Sequence, residues 1–148
     1  MYNSINRPSA IAYIRGGNDS PELFGEVRFF QKPNGVLVVA KISNLPRDSI
    51  TGFFGFHIHE GNACTGEAFS DTASHYNPTG VPHPRHAGDL PPLISCNGDS
   101  YLSVMTDRFN IDDIIGRTVV IHSSPDDFTS QPAGNAGQKI ACGVIQRE

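Results

Sequence analysis

The chain has 148 residues, of which 38% are apolar and 18% charged, a composition suited to one globular domain over residues 1–148 with a hydrophobic core. Its net charge of −4 and the lack of any block of Lys and Arg argue against a nucleic-acid partner. No run of about eighteen apolar residues exists to span a membrane, and the three cysteines form no CxxC pair, so neither a Cys-based zinc finger nor a thioredoxin-like centre is expected.

At the start of the chain, Met1 to Arg7 lacks a basic stretch followed by an apolar core, so no signal peptide is expected there. That favours the cytosol, with an extracytoplasmic compartment open if the chain is a mature form. Short apolar or alternating runs then recur, separated by Gly, Pro and Asn. Ser9 to Arg15 is the first. Leu23 to Phe30 and Val36 to Ile42 form a pair, and the Asn34-Gly35 in their joint predicts a hairpin. Gly52 to His59 reads as a further strand, followed by Tyr101 to Thr106, Arg117 to His122 and Ile140 to Ile145. Asp107 to Ile115 has room for a helical turn. Many short strands with turn signals between them predict an all-β sandwich or barrel. Two stretches break the rhythm, Glu60 to Pro92 and Ser123 to Gln138, and long loops of this kind are usually functional or disordered.

The six histidines fall on those loops and the strands beside them. His57 and His59 stand two apart, on one face of a strand, where two imidazoles can grip one ion. Alone, that pair more often reads as two strand histidines without a ligand. His75, His83, His86 and Asp89 lie within one loop, and three imidazoles with a carboxylate make a plausible tetrahedral zinc set. A polar loop that merely carries histidines is the competing reading. His122 ends the apolar run Thr118-Val119-Val120-Ile121 and belongs at the rim of the sandwich, either as a ligand or as a solvated strand end.

Taken together, five motifs resemble copper–zinc superoxide dismutases. They are Gly55-Phe56-His57-Ile58-His59-Glu60, Ser74-His75-Tyr76-Asn77-Pro78 and His86-Ala87-Gly88-Asp89-Leu90, then Gly116-Arg117 through His122, then Gly134-Asn135-Ala136-Gly137 through Ala141-Cys142-Gly143-Val144. The resemblance implies an eight-stranded Greek-key β-sandwich, a flattened barrel of immunoglobulin-like build with two long functional loops. It implies that His57, His59, His75 and His122 bind copper and that His75, His83, His86 and Asp89 bind zinc, with His75 shared as a bridging imidazolate. Cys64 and Cys142 would form the family disulfide, leaving Cys96 as a structural or incidental thiol. Asp126 would join His57 to His83, and such partners fix an imidazole's tautomer and orientation.

The implied reaction is dismutation of superoxide, a small anionic substrate, to O2 and H2O2, an antioxidant activity with copper and zinc as cofactors. His75 would carry a proton in it. Lys139 stands where the family usually has Arg beside the copper; it keeps the charge and loses the planar fork. The Glu60 to Cys64 segment, the His83 to His86 spacing and the loop after His122 are short for the family. A monomer, or a homodimer with an interface unlike that of the eukaryotic enzymes, follows. A copper chaperone of the same fold would need extra thiols in a CxC or CxxC; a redox-inactive relative would lack a copper ligand. A zinc hydrolase would have no need of a shared histidine.

Overall fold

The structure is a computed structural model that describes residues 7–148; the expectation about a signal peptide over Met1 to Arg7 falls almost wholly on Met1 to Asn6, which lie outside the described residues. Among the described residues nine strands are formed: β1 Ala10–Gly16, β2 Phe24–Lys32, β3 Gly35–Ser43, β4 Phe53–Phe54, β5 Phe56–His59, β6 Leu93–Ile94, β7 Ser100–Thr106, β8 Thr118–His122 and β9 Lys139–Arg147. One curled antiparallel sheet runs in the order β5-β8-β9-β1-β2-β3-β7, and β4 pairs with β6. With β4 and β5 counted as one interrupted strand, this is the expected eight-stranded sandwich.

Period-two alternation builds it. In β3, Val36, Val38, Ala40 and Ile42 are buried while their neighbours are not. In β2, Val27 and Phe29 face the same core. Strands β5 and β8 differ, since every residue in them is buried. Phe56, Ile58, Val119 and Ile121 enter the core. The alternate residues His57, His59 and His122 therefore face outward, and only a covering loop can bury them. The long loop after β5 does so, making isolated bridges His57↔Asp89 and His59↔His75.

That loop differs from the structureless stretch expected over Glu60 to Pro92. A 3-10 turn covers Glu67–Thr72, and the disulfide Cys64–Cys142 ties the loop to β9. Two further differences have local causes. The expected strand Gly52 to His59 breaks at Gly55, where a Cβ would lie 2.7 Å from Ala136 Cβ and 3.2 Å from His122 Cβ. The close approach of those chains requires glycine there. The hairpin turn holds Pro33 and Asn34, and Gly35 already pairs with Lys32 as the first residue of β3. The expected helical turn is α1, Ile111–Ile114, closed by a capping box between Asn110 and Asp113. Among the described residues, no helix is long and apolar enough to cross a membrane.

Candidate metal centre

His57 and His59 are presented side by side by β5, and β8 brings His122 next to them through the bond from its amide to Gly55 O at 2.8 Å. The covering loop supplies His75, whose ring centroid lies 4.0 Å from that of His57 and 4.9 Å from that of His59. Behind His75 stand His83 and His86, each with a ring centroid 5.4 Å away. Two donor groups result, His57-His59-His75-His122 and His75-His83-His86-Asp89, with the ligand atoms of each within 4.8 Å of one another. His75 belongs to both.

Four of the six rings are oriented by a bond on the side away from their group. His57 Nε2 donates to Asp126 Oδ2 at 2.8 Å, and His83 Nε2 donates to Asp126 Oδ1 at 2.8 Å. His59 Nδ1 donates to the Ala73 carbonyl at 2.9 Å and His122 Nδ1 to the Gly137 carbonyl at 3.4 Å. These bonds leave an unprotonated nitrogen on each of the four rings aimed inward. His59 Nε2 and His122 Nε2 face each other at 3.2 Å, two lone pairs that only a shared cation or proton reconciles. His57 Nδ1, His75 Nε2 and His83 Nδ1 are buried without any hydrogen-bond partner. Buried polar atoms are rarely left so, and a place for an ion accounts for three imidazole nitrogens of this kind side by side.

Spacing supports the same conclusion. Zinc bonds of about 2.0–2.1 Å place tetrahedral donors about 3.3–3.4 Å apart. In the second group His75 Nδ1 and His86 Nδ1 are 3.3 Å apart, His86 Nδ1 and Asp89 Oδ2 3.3 Å, and His83 Nδ1 and Asp89 Oδ2 3.0 Å. His83 Nδ1 has no hydrogen-bond geometry toward Asp89 despite that approach, because both atoms point at a common centre.

The electrostatics suit cations. Burial lowers the pKa of His57, His59 and His86, and brings that of His122 to about 3, so these rings are neutral and free to ligate. Burial alone would raise Asp126 and Asp89. At Asp126 the hydrogen bonds from His57, His83 and the Phe128 amide together outweigh it, and at Asp89 the bond from His75 with the nearby charges of His75, His83 and His86 does so, lowering both carboxylates below their ordinary range.

A cavity of about 770 Å³ opens on His59, His75 and His122. Lys139 lines it, placed across from His122 by a register shift in the β8–β9 ladder. Its Nζ donates to Thr72 Oγ1 at 2.8 Å and to the Ala73 carbonyl at 2.9 Å. Burial lowers its pKa below the ordinary 10.5. Every site residue expected from the sequence is thus gathered here or tied to it, while Cys96 is exposed at a distant turn. Sequence reasoning missed the Ala73 carbonyl, which serves both His59 and Lys139, and Gln131, whose side chain pairs with the backbone of His83. A backbone acceptor carries no residue-type signal, and a lone Gln in a loop carries almost none.

Comparison with known proteins gives one answer. The family model described as "Copper/zinc superoxide dismutase" matches residues 23–145. "Superoxide dismutase [Cu-Zn] 2" of Aquifex aeolicus is 34% identical over 144 residues, covering 87% of this chain and 82% of that protein. "Superoxide dismutase [Cu-Zn]" of Legionella pneumophila is 34% identical over 136 residues, covering 85% and 80%. Among solved structures, a double mutant of a SOD-like protein from Bacillus subtilis superposes with a TM-score of 0.78 at 26% identity, covering 92% of this chain and 96% of that one.

Proposed function

The chain belongs to the copper/zinc superoxide dismutase family, and from that membership we propose how its own residues divide the work of the reaction. It is an oxidoreductase that converts two superoxide anions and two protons to O2 and H2O2, with copper and zinc as its cofactors. When bound, copper supplies the one-electron chemistry and zinc a fixed positive charge without redox activity.

His57, His59, His75 and His122 hold the copper; His75, His83, His86 and Asp89 hold the zinc. The observation that carries this division is His75, which stands in both groups with Nδ1 facing Asp89 Oδ1 at 2.8 Å and Nε2 buried and unpartnered on the other side. Nε2 of His75 takes up a proton in the first half-reaction and passes it to the developing peroxide in the second. Asp126 grips one ring of each group, so both keep one tautomer and one orientation. Lys139 draws the anion into the cavity. An ammonium has three donors. Thr72 and Ala73 occupy two, which leaves one for the substrate. The short Glu60 to Cys64 segment supports a monomer, or a homodimer with a contact unlike that of the eukaryotic enzymes, which sedimentation distinguishes.

Metal analysis joined to a superoxide assay tests the reading. We expect about one copper and one zinc per chain, and His122→Ala should abolish dismutation while keeping zinc and fold. Protein that takes zinc but never copper at the His57–His59–His122 face would overturn it.

A further inference from the structure

Only two residues separate His83 from His86, and no strand or helix supports residues 82–86. Within the turn, Arg85 N donates to Pro82 O at 2.9 Å, and Asp89 N donates to His86 O at 3.1 Å. His86 N also donates to Asp89 Oδ2 at 3.0 Å, and the other anchors of residues 83–86 come from two side chains far away in sequence. Gln131, in the second long loop, accepts from His83 N at 2.9 Å and donates from Nε2 to His83 O at 2.7 Å. Arg108, between β7 and α1, donates from one terminal nitrogen to Pro84 O at 2.7 Å and to His86 O at 3.2 Å.

We propose that Arg108 and Gln131 are positioning residues that hold the His83–His86 turn in ligating shape, so that the second donor group is formed before its metal arrives. This rests on the reading of that group as the zinc site. Both holders are themselves fixed. Arg108 precedes Phe109, which is buried in the core, and its amide donates to Thr106 Oγ1 at 3.2 Å. Gln131 follows a loop end pinned by Asp127 Oδ1, which accepts from Thr129 N at 2.9 Å and Ser130 N at 2.8 Å.

Neither side chain bonds to an imidazole. Their removal leaves all four donors present and costs only order in the turn. A turn that must be ordered by the ion charges that ordering against affinity, whereas a turn already ordered does not. Arg suits its place because its charge strengthens both bonds to carbonyls.

The test uses the full chain and the variants Arg108→Ala, Arg108→Lys and Gln131→Ala. Zinc affinity is measured by chelator competition, and amide hydrogen exchange is followed in protein stripped of metal. Arg108→Ala and Gln131→Ala should weaken zinc binding roughly 10- to 100-fold, the range found for groups that orient metal ligands. Arg108→Lys should recover part of the loss. Exchange should quicken at Arg85, His86 and Gly88 and stay unchanged in β2 and β3. Unchanged zinc affinity, or faster exchange throughout the sheet, would overturn the proposal. Wild-type protein that binds no zinc overturns the zinc reading itself; wild type that binds zinc while the variants match it overturns only the roles of Arg108 and Gln131.

Discussion

At the scale of single residues, Lys139 is the group proposed to draw the anion into the cavity, at the place where the resemblance implies arginine. Two of its three donors are already engaged by Thr72 and Ala73. An arginine carries five donors in a planar fork and would satisfy the same two acceptors with more to spare for the anion. Lys139→Arg should therefore raise kcat/KM several-fold, and Lys139→Ala should lower it roughly tenfold, since local charge commonly enhances capture by 10-fold or more. The pH profile separates charge from shape. Because the charged form captures the anion, activity in the native chain falls as pH rises through the Lys139 pKa, which burial places below 10.5. Arginine keeps its proton above pH 12, so Lys139→Arg should lose that alkaline decline. Identical profiles in stopped-flow or pulse measurements would remove Lys139 from substrate capture.

At the scale of elements, the second loop locks onto the first through Asp126, and Gly134 is what lets the two meet. Gly134 has φ +71°, and a Cβ there would press on Asp126 Oδ1 and lie 2.6 Å from His83 Nε2. Gly134→Ala should break the Asp126–His83 bond and weaken zinc binding by about 10-fold or more. It should also destabilise the fold by more than about 1 kcal/mol. Gly52 offers the control, because its φ is +73° and nothing lies within 4 Å of its would-be Cβ. Gly52→Ala carries a similar backbone penalty and should leave zinc affinity untouched, as chelator competition on both variants will show. Equal zinc affinity in the two variants would mean that the Asp126 bond does not support the centre. The disulfide works at the same scale from the other end. It joins Cys64 to Cys142 across a sequence separation of 78, a constraint on the unfolded chain of roughly 4–5 kcal/mol.

At the scale of the whole molecule, the outward faces of β5 and β8 carry a stack of imidazoles under a loop, where most sandwiches of this kind meet solvent. Inward-facing lone pairs, as between His59 and His122 at 3.2 Å, oppose that burial unless a cation joins them. Metal should therefore stabilise the fold strongly. An ion present at about a thousandfold over its Kd adds roughly 4 kcal/mol, which in a chain of this size corresponds to at least about 8 °C in Tm. Chelation should lower the calorimetric Tm by that much, and readdition of zinc alone should restore part of it. A Tm indifferent to metal would contradict the packing described for these rings.

Much of this was legible in the order of residues. The alternation in Val36 to Ile42 and the spacing of His57 with His59 depend on local geometry with a period of two, and the break signalled by Asn34-Gly35 depends on local turn chemistry, all of which is written along the chain. The donor set was legible for another reason, since imidazole and carboxylate types crowd where an ion must be held. Strand β6 was not, because two residues after Pro91 and Pro92 are too short to show any period. Nor were the pairings that complete the site. That Ala73 O accepts from both His59 and Lys139, that Gln131 holds His83, and that Arg108 reaches two carbonyls on the same turn are contacts across 14 to 66 residues of chain. Sequence by itself determined which side chains could bind metal, through their chemistry. Only the tertiary structure decided how they are aimed, because orientation comes from backbone groups, and those are alike at every position until the fold sets them apart.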